Sequence, residues 1–248
     1  MKLAGKYALV SGGATGIGRS TAELYASEGA TVAILDYNEE EGRAAVSTIE
    51  SAGGKASFYK VDVRDEGEVA SALASVNAEF GRLDAAVCSA GVLRGASRKI
   101  TELSLEEWET TIGTNLTGVF LTVKHSAPLL ERSGKSVLMV ISSGAGVYGG
   151  SSSFAYAASK GGLYGMRFNL EGELTPKGVR VHIICPGSVS TPLKVRNMVE
   201  NAERRGEDPL KAEEEARRVL PDPIGVARIL LMLASEEGEY MRGTVTTR

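Results

Sequence analysis

The chain has 248 residues, of which 43% are hydrophobic and 24% are charged, the balance of an ordinary soluble globular protein. Its 28 basic and 31 acidic side chains give a formal charge of -3, so electrostatics give no reason to expect nucleic acid or an anionic membrane as a partner. Two cysteines and two histidines are too few for a metal cluster, and without a transmembrane run or a signal peptide we expect a cytoplasmic protein that holds no metal.

Short apolar runs alternate with longer segments of helical spacing along the chain. The runs lie at 7–12, 31–36, 56–63, 83–91, 136–143 and 179–187. Because they are nearly continuous rather than alternating, they predict strands covered on both faces, as in a parallel sheet. The repeated β-α order predicts a single α/β domain over residues 1–248, with a doubly wound, mostly parallel sheet of seven strands and helices on both faces.

The first predicted strand runs into a glycine-rich turn, SGGATGIGRS. The glycines stand where the strand becomes a helix, and the first helical turn offers unpaired N–H groups and the positive end of the helix dipole to a pyrophosphate. Glycine lets the backbone approach the ligand closely. The turn therefore predicts dinucleotide contacts at Gly12, Thr15, Gly16, Ile17 and Gly18.

Asp36 ends the second predicted strand, 18 residues after Gly18. A carboxylate at this place accepts hydrogen bonds from the adenosine ribose hydroxyls and repels a 2′-phosphate. No basic residue follows it in DYNEEE, and Arg19 is the nearest basic residue upstream that offsets its charge. The pattern favours NAD over NADP.

Tyr156 and Lys160 stand four residues apart in FAYAASKGG, which places them on one face of a helix. A phenol has a reference pKa of about 10 and is a poor base near neutral pH. A nearby ammonium favours the phenolate, so the pair can act as an acid–base device. The alternative is an ordinary surface or interface pair on an amphipathic helix.

A charged stretch, 194–223, interrupts the β-α pattern and is bounded by prolines. It follows directly on a strand end, where ligands bind in such sheets. We expect residues 188–223 to cap the substrate site, and the alternative is a solvated surface insertion.

The TGxxxGxG spacing of the first turn, with Ser11 in its first place, and the YxxxK pair downstream resemble the short-chain dehydrogenase/reductase family, whose fold is of the Rossmann type. The similarity runs from Lys6 to the end of the chain. The fourth strand departs from the family pattern, because CSAG stands where NNAG is usual. The resemblance implies further cofactor contacts, in KVDVRD, after the fourth strand and in a PGxxxT segment: Asp62, Val63, Ala90, Gly91, Pro186, Gly187, Val189 and Thr191.

The resemblance also implies a catalytic set of Asn115, Ser143, Tyr156 and Lys160. Tyr156 would be the general acid or base, and Ser143 would hold the substrate oxygen. Lys160 would bind the nicotinamide ribose, the carboxamide would lie by the PGxxxT segment, and a backbone carbonyl at Asn115 would hold a relay water. Asp62 would bind the adenine amino group.

Three functions stay open from the sequence. The first is an NAD-dependent dehydrogenase acting on an uncharged secondary alcohol or its ketone. The second is an NADPH-linked reductase of 3-oxoacyl chains on a carrier protein, which Asp36 disfavours. The third is a catalytically silent dinucleotide sensor. The family builds tetramers on helices that correspond to 104–132 and 154–176, so the resemblance implies a homotetramer.

Overall fold

The computed structural model describes residues 1–247, which form one seven-stranded sheet in the order β3-β2-β1-β4-β5-β6-β7. The strands are β1 (Tyr7–Ser11), β2 (Thr31–Asp36), β3 (Lys55–Lys60), β4 (Ala85–Cys88), β5 (Ser136–Ile141), β6 (Val179–Cys185) and β7 (Gly243–Thr246). Every pair of neighbouring strands is parallel. The predicted seven-stranded doubly wound sheet is confirmed, and it is parallel throughout rather than mostly parallel.

Helices cover both faces of the sheet, as the continuous apolar strands predict. They are α1 (Gly16–Ser27), α2 (Glu39–Ser51), α3 (Glu66–Phe80), α4 (Leu105–Ile112), α5 (Gly118–Ser133), α6 (Gly144–Val147), α7 (Phe154–Leu174), α8 (Pro192–Arg204), α9 (Pro209–Val219) and α10 (Ile224–Ala234). Side chains of α3, α5 and α7 join the core on one face. Those of α1, α2 and α10 join the core on the other. None of the helices described is both long enough and apolar enough to cross a membrane.

Most strands end earlier than their apolar runs. Predicted strand 56–63 ends at Lys60, 83–91 at Cys88 and 136–143 at Ile141. Beyond these ends the chain leaves the hydrogen-bonded sheet at its carboxyl edge, and several of the predicted site residues lie there. The residues of these exits are buried or part-buried, and none of them is fully exposed.

The helix expected over 104–132 is divided. A π-helical turn, Gly113–Thr117, lies between α4 and α5. The turn widens the helix by one residue per hydrogen bond, a feature often found at functional sites. Asn115 lies at its centre and is fully buried.

Candidate active site

The sheet order reverses between β1 and β4, and the crevice at the carboxyl ends of these strands is where ligands bind in this architecture. Gly12 and Ala90 form its floor. Gly12 has a φ of +68°, and a Cβ added to it would lie 2.5 Å from the backbone of Ala90. The Ser89 N–H donates to the Ser11 carbonyl at 2.9 Å, so the changed CSAG sequence keeps β4 bonded to β1 at this point.

The glycine-rich turn is tightly folded between β1 and α1. A Cβ on Gly18 would collide with the carbonyl oxygen of Gly12, and one on Gly16 would lie 3.1 Å from the Thr191 methyl. Thr15 is the N-cap of α1 but makes no side-chain cap bond. The turn thus forms a cradle whose space side chains would fill. It opens at the N-terminus of α1, where the free backbone N–H groups fit a dinucleotide pyrophosphate. It also brings Gly16 and Thr191, 175 residues apart, into contact.

Asp36 is only 8% exposed and is held in place by the backbone. One carboxylate oxygen accepts from the Ala14 N–H at 3.1 Å, and the other accepts from Asn38 at 3.0 Å. Arg19 does not pair with the Asp36 carboxylate, because its guanidinium nitrogens already donate to the carboxylates of Glu23 and Glu41 and to the hydroxyl of Thr48. Arg19, the basic residue expected to offset the charge at the end of β2, is therefore paired elsewhere and does not favour a 2′-phosphate.

Asp62 and Val63 follow β3, beside the end of β2. Val63 is buried, whereas Asp62 is part-exposed and binds the side chain of Arg64 at 2.6 Å. This hydrogen-bonded guanidinium lowers the pKa of the Asp62 carboxyl, against a smaller opposing effect of burial. The residue expected to bind adenine therefore pairs with Arg64 in this structure.

The far wall of the crevice comes from the segment after β6. Val189 accepts the N–H of Thr191 at 2.8 Å, and the Thr191 hydroxyl caps α8 by accepting from the Lys194 N–H at 3.2 Å. The Gly187 N–H donates to the Thr247 hydroxyl at 3.4 Å, next to Pro186. The predicted PGxxxT residues thus form one turn that faces the glycine-rich cradle.

Asn115 joins three segments with its side chain. Its amide oxygen accepts from the Val92 N–H at 2.8 Å, and its amide nitrogen donates to the Val92 carbonyl at 2.9 Å and to the Ser159 hydroxyl at 3.1 Å. It therefore joins the exit of β4 and the turn of α7 that carries Ser159 to the π-helical turn. This clamp is a positioning role that the sequence did not predict.

Ser143 and Tyr156 meet at the crevice. The Ser143 hydroxyl caps the short α6 by accepting from the Ala145 N–H at 3.2 Å. Burial raises the pKa of the half-buried Tyr156 phenol, and a hydrogen bond with Ser143 lowers it. The Ser143 hydroxyl therefore caps α6 and also lies beside the Tyr156 phenol.

Lys160 is 3% exposed, and its ammonium lies 5.6 Å from the centre of the Tyr156 ring. It donates to the Ile141 carbonyl at 2.8 Å, and a Cβ on Gly91 would come within 3.7 Å of it. Burial lowers the Lys160 pKa from 10.5 to about 8.

The net shift of the Tyr156 pKa is upward in this structure, because the effect of burial exceeds that of the hydrogen bond with Ser143. Burial removes hydration from both the Tyr156 phenolate and the Lys160 ammonium, and the ammonium donates its hydrogen bond to the Ile141 carbonyl.

The structure adds residues that the motifs did not mark. The Ser142 hydroxyl donates a hydrogen bond to the Lys160 carbonyl at 2.9 Å, and the Ser159 hydroxyl accepts one from the Asn115 amide nitrogen. Both are small polar residues next to a predicted catalytic residue, and that adjacency was the only signal in the sequence. Among residues 1–247, no three His, Cys, Asp or Glu side chains converge as a metal site would require. Cys88 and Cys185 are free and buried, as expected.

A family model described as short chain dehydrogenase matches residues 6–202. The chain is 34% identical to the 3-oxoacyl-[acyl-carrier-protein] reductase FabG of Thermotoga maritima, over 99% of this chain and 96% of that protein. It is 34% identical to a 3beta-hydroxysteroid dehydrogenase of Mediterraneibacter gnavus, over 97% and 92%. The crystal structure of carveol dehydrogenase from Mycobacterium avium in complex with NAD superposes with a TM-score of 0.86 at 29% identity, over 99% of this chain and 97% of that one.

Proposed function

This chain belongs to the short-chain dehydrogenase family, and from that premise we propose that it is an NAD-dependent dehydrogenase that interconverts an uncharged secondary alcohol and its ketone. The observation that carries the proposal is the meeting of Ser143, Tyr156 and Lys160 at the carboxyl edge of the sheet, beside a turn that fits a dinucleotide. A catalytically silent sensor of dinucleotides would not need this acid–base group.

The cofactor residues lie along one crevice. The cradle of Gly12, Gly16 and Gly18 would hold the pyrophosphate, Asp36 the adenosine ribose, and Thr191 the carboxamide. Asp62, Val63, Ala90, Gly91 and the remaining predicted contacts complete the proposed set. A bound nicotinamide cofactor supplies the hydride acceptor, or the donor in the reverse direction.

The chain's own residues handle the proton. The Ser143 hydroxyl donates a hydrogen bond to the substrate oxygen and stabilises the charge that develops there. Tyr156 takes the hydroxyl proton in oxidation and returns it in reduction. Lys160, with a pKa of about 8, exchanges protons near neutral pH. The π-helical turn at Asn115 is the place for the carbonyl that would hold the relay water.

NAD is the proposed cofactor because Asp36 is buried, fixed and negative, while Arg19 is bound to Glu23 and Glu41. The similar carveol dehydrogenase structure holds NAD, which supports the proposal. Fluorescence titration should give tighter binding of NADH than of NADPH. Replacing Asp36 by Ala should narrow the difference, and a preference of the unaltered chain for NADPH would contradict the assignment.

The competing activity is the NADPH-linked reduction of 3-oxoacyl chains on a carrier protein, which the name of the Thermotoga maritima relative suggests. The negative charge at the end of β2 and the formal charge of -3 disfavour it, since the carrier would be acidic. A panel of secondary alcohols assayed with NAD, followed by reduced-nicotinamide absorbance, tests the proposal. Faster turnover of a 3-oxoacyl thioester with NADPH would favour the competing function.

We propose that residues 188–223 close over the substrate. Helix α8 is bonded to both neighbouring loops, because Asn197 donates to the Ser152 hydroxyl at 3.1 Å and Ser97 donates to the Asn201 amide oxygen. These bonds to the segments that follow β4 and β5 support a capping position for α8. The solvated-insertion alternative would leave α8 without such contacts.

We propose a homotetramer built on α5 and α7. Phe120, Phe154 and Phe168 on these helices are 48%, 48% and 57% exposed, which is a large apolar area for a free monomer. Static light scattering at micromolar concentration should give four times the 26.1 kDa chain mass. The cytoplasm is the proposed compartment, because both cysteines are unpaired.

A further inference from the structure

The helix that carries Tyr156 begins at a buried serine. Ser153 is the N-cap of α7, and it is 2% exposed. Its hydroxyl accepts the backbone N–H of Tyr156 at 3.3 Å and donates to the carbonyl of Arg94 at 2.7 Å. One hydroxyl therefore connects the first turn of α7 to the segment that follows β4.

The carbonyl of Tyr156 is also bonded to a serine. The Ser159 hydroxyl donates to this carbonyl at 2.8 Å and accepts from the Asn115 amide nitrogen at 3.1 Å. The same amide nitrogen of Asn115 donates to the Val92 carbonyl at 2.9 Å. Both the N–H and the carbonyl of Tyr156 are thus bonded to serine hydroxyls, and both connections lead to residues 92–94.

Residues 92–94 follow directly on Ala90 and Gly91, two of the predicted cofactor contacts. A Cβ on Gly91 would lie 3.7 Å from the Lys160 ammonium, so this short segment lies along the crevice. The proposed reaction needs the phenol and the cofactor to be aligned on one substrate carbon and its oxygen. A misplacement of about 1 Å can lower a rate by about 100-fold, so the bonds between α7 and this segment matter for the chemistry.

We propose that Ser153 is a positioning residue for Tyr156, because its hydroxyl holds the first turn of α7 to the segment beside the cofactor crevice. The inference rests on the proposed dehydrogenase function and deepens it. Helix capping alone requires only the bond that Ser153 accepts. The bond that it donates to Arg94 is additional, and it joins the helix to a different part of the chain.

Single-turnover hydride transfer in the full-length wild type, Ser153→Ala and Ser153→Gly tests this, with NAD and the fastest of cyclohexanol, cyclopentanol and isopropanol. Glycine at an N-cap is tolerated almost as well as serine, so Ser153→Gly removes the bond to Arg94 with little loss of helix stability. The transfer rate at saturating alcohol and NAD should fall by about ten-fold in both variants. The affinity for NADH should be nearly unchanged, because Ser153 is none of the predicted cofactor contacts.

Two further variants separate positioning from ordinary capping. Ser153→Thr keeps a hydroxyl at the N-cap and should retain most of the transfer rate. Ser104→Ala removes the serine N-cap of α4, whose hydroxyl accepts the Glu107 N–H at 3.1 Å. Loss of this cap should lower the Tm by about 2–4 °C, as expected for Ser153→Ala, and should leave the transfer rate unchanged.

Two outcomes overturn the inference and leave the proposed function intact. One is hydride transfer at the wild-type rate in both Ser153→Ala and Ser153→Gly, and the other is an equal loss of rate in Ser104→Ala. A wild type that binds NADH but oxidises none of the alcohols overturns the proposed function itself. Circular dichroism and thermal unfolding establish that each variant is folded, and Ser153→Gly carries the test if Ser153→Ala does not fold.

Discussion

Replacing Lys160 by Met should make the protein more stable at neutral pH while abolishing its activity. Lys160 is buried, and within residues 1–247 its ammonium donates to one backbone carbonyl and forms no ion pair with a carboxylate. An ammonium in such a place keeps little of its hydration, which is why burial lowers its pKa to about 8. Methionine fills a similar volume without a charge, so the variant loses the desolvation cost.

The size and sign of the effect follow from the pKa difference between the two states. The Lys160 pKa falls from 10.5 in the unfolded chain to about 8 in the folded one, which corresponds to a cost of about 3 kcal/mol below both values. Loss of the bond to Ile141 offsets about 1 kcal/mol of the gain. Because the unfolded chain binds more protons between these pKa values, the wild type recovers the cost as the pH rises through that window.

Urea unfolding of wild type and Lys160→Met at a series of pH values from 7 to 10.5, at one protein concentration, measures the difference. The variant should be more stable by about 2 kcal/mol at pH 7 and should lose this advantage toward pH 10.5. Lys211→Met, on the exposed face of α9, is the matched control and should follow the wild type. Parallel stability curves for wild type and Lys160→Met would refute the claim that Lys160 is charged at a desolvation cost.

Two more substitutions test the site as a structure. Asn115→Ala should lower the free energy of unfolding by about 1–3 kcal/mol, because the Val92 N–H and carbonyl lose their buried partners; chemical denaturation measures the loss, and an unchanged midpoint would contradict the clamp. Gly12→Ala should abolish NADH binding or folding, since its Cβ would lie 2.5 Å from the backbone of Ala90. Gly53 also has a positive φ but faces open space, so Gly53→Ala should lower the free energy of unfolding by only about 1 kcal/mol. Equal thermal stability and NADH affinity in the two variants would count against the close approach at the crevice.

The sequence predicts the fold well, for a definite physical reason. In a parallel α/β sheet each strand delivers its last residues to one edge. Asp36 and Ser143 each end an apolar run, so their position at the carboxyl edge of the sheet is a consequence of topology. The YxxxK pair needs only the period of a helix to place Tyr156 beside Lys160.

Competition among side chains at that edge is what the sequence does not predict. Nothing in KVDVRD shows that the Arg64 guanidinium pairs with the Asp62 carboxylate, because this pairing depends on which other charged groups lie within reach in the folded chain. The same holds for the Lys160 ammonium, which faces the Ile141 carbonyl rather than a carboxylate. Asn115 likewise acts as a clamp on Val92 only because the π-helical turn aims its side chain there.

The most direct test of the central claim is single-turnover hydride transfer in Tyr156→Phe. The substitution removes one oxygen, so NADH should bind with nearly the wild-type affinity. The rate of alcohol oxidation should fall by about 10²–10⁴-fold, the contribution expected of a positioned general base. A Tyr156→Phe protein that binds NADH and oxidises the alcohol at the wild-type rate would show that the proton leaves by another route.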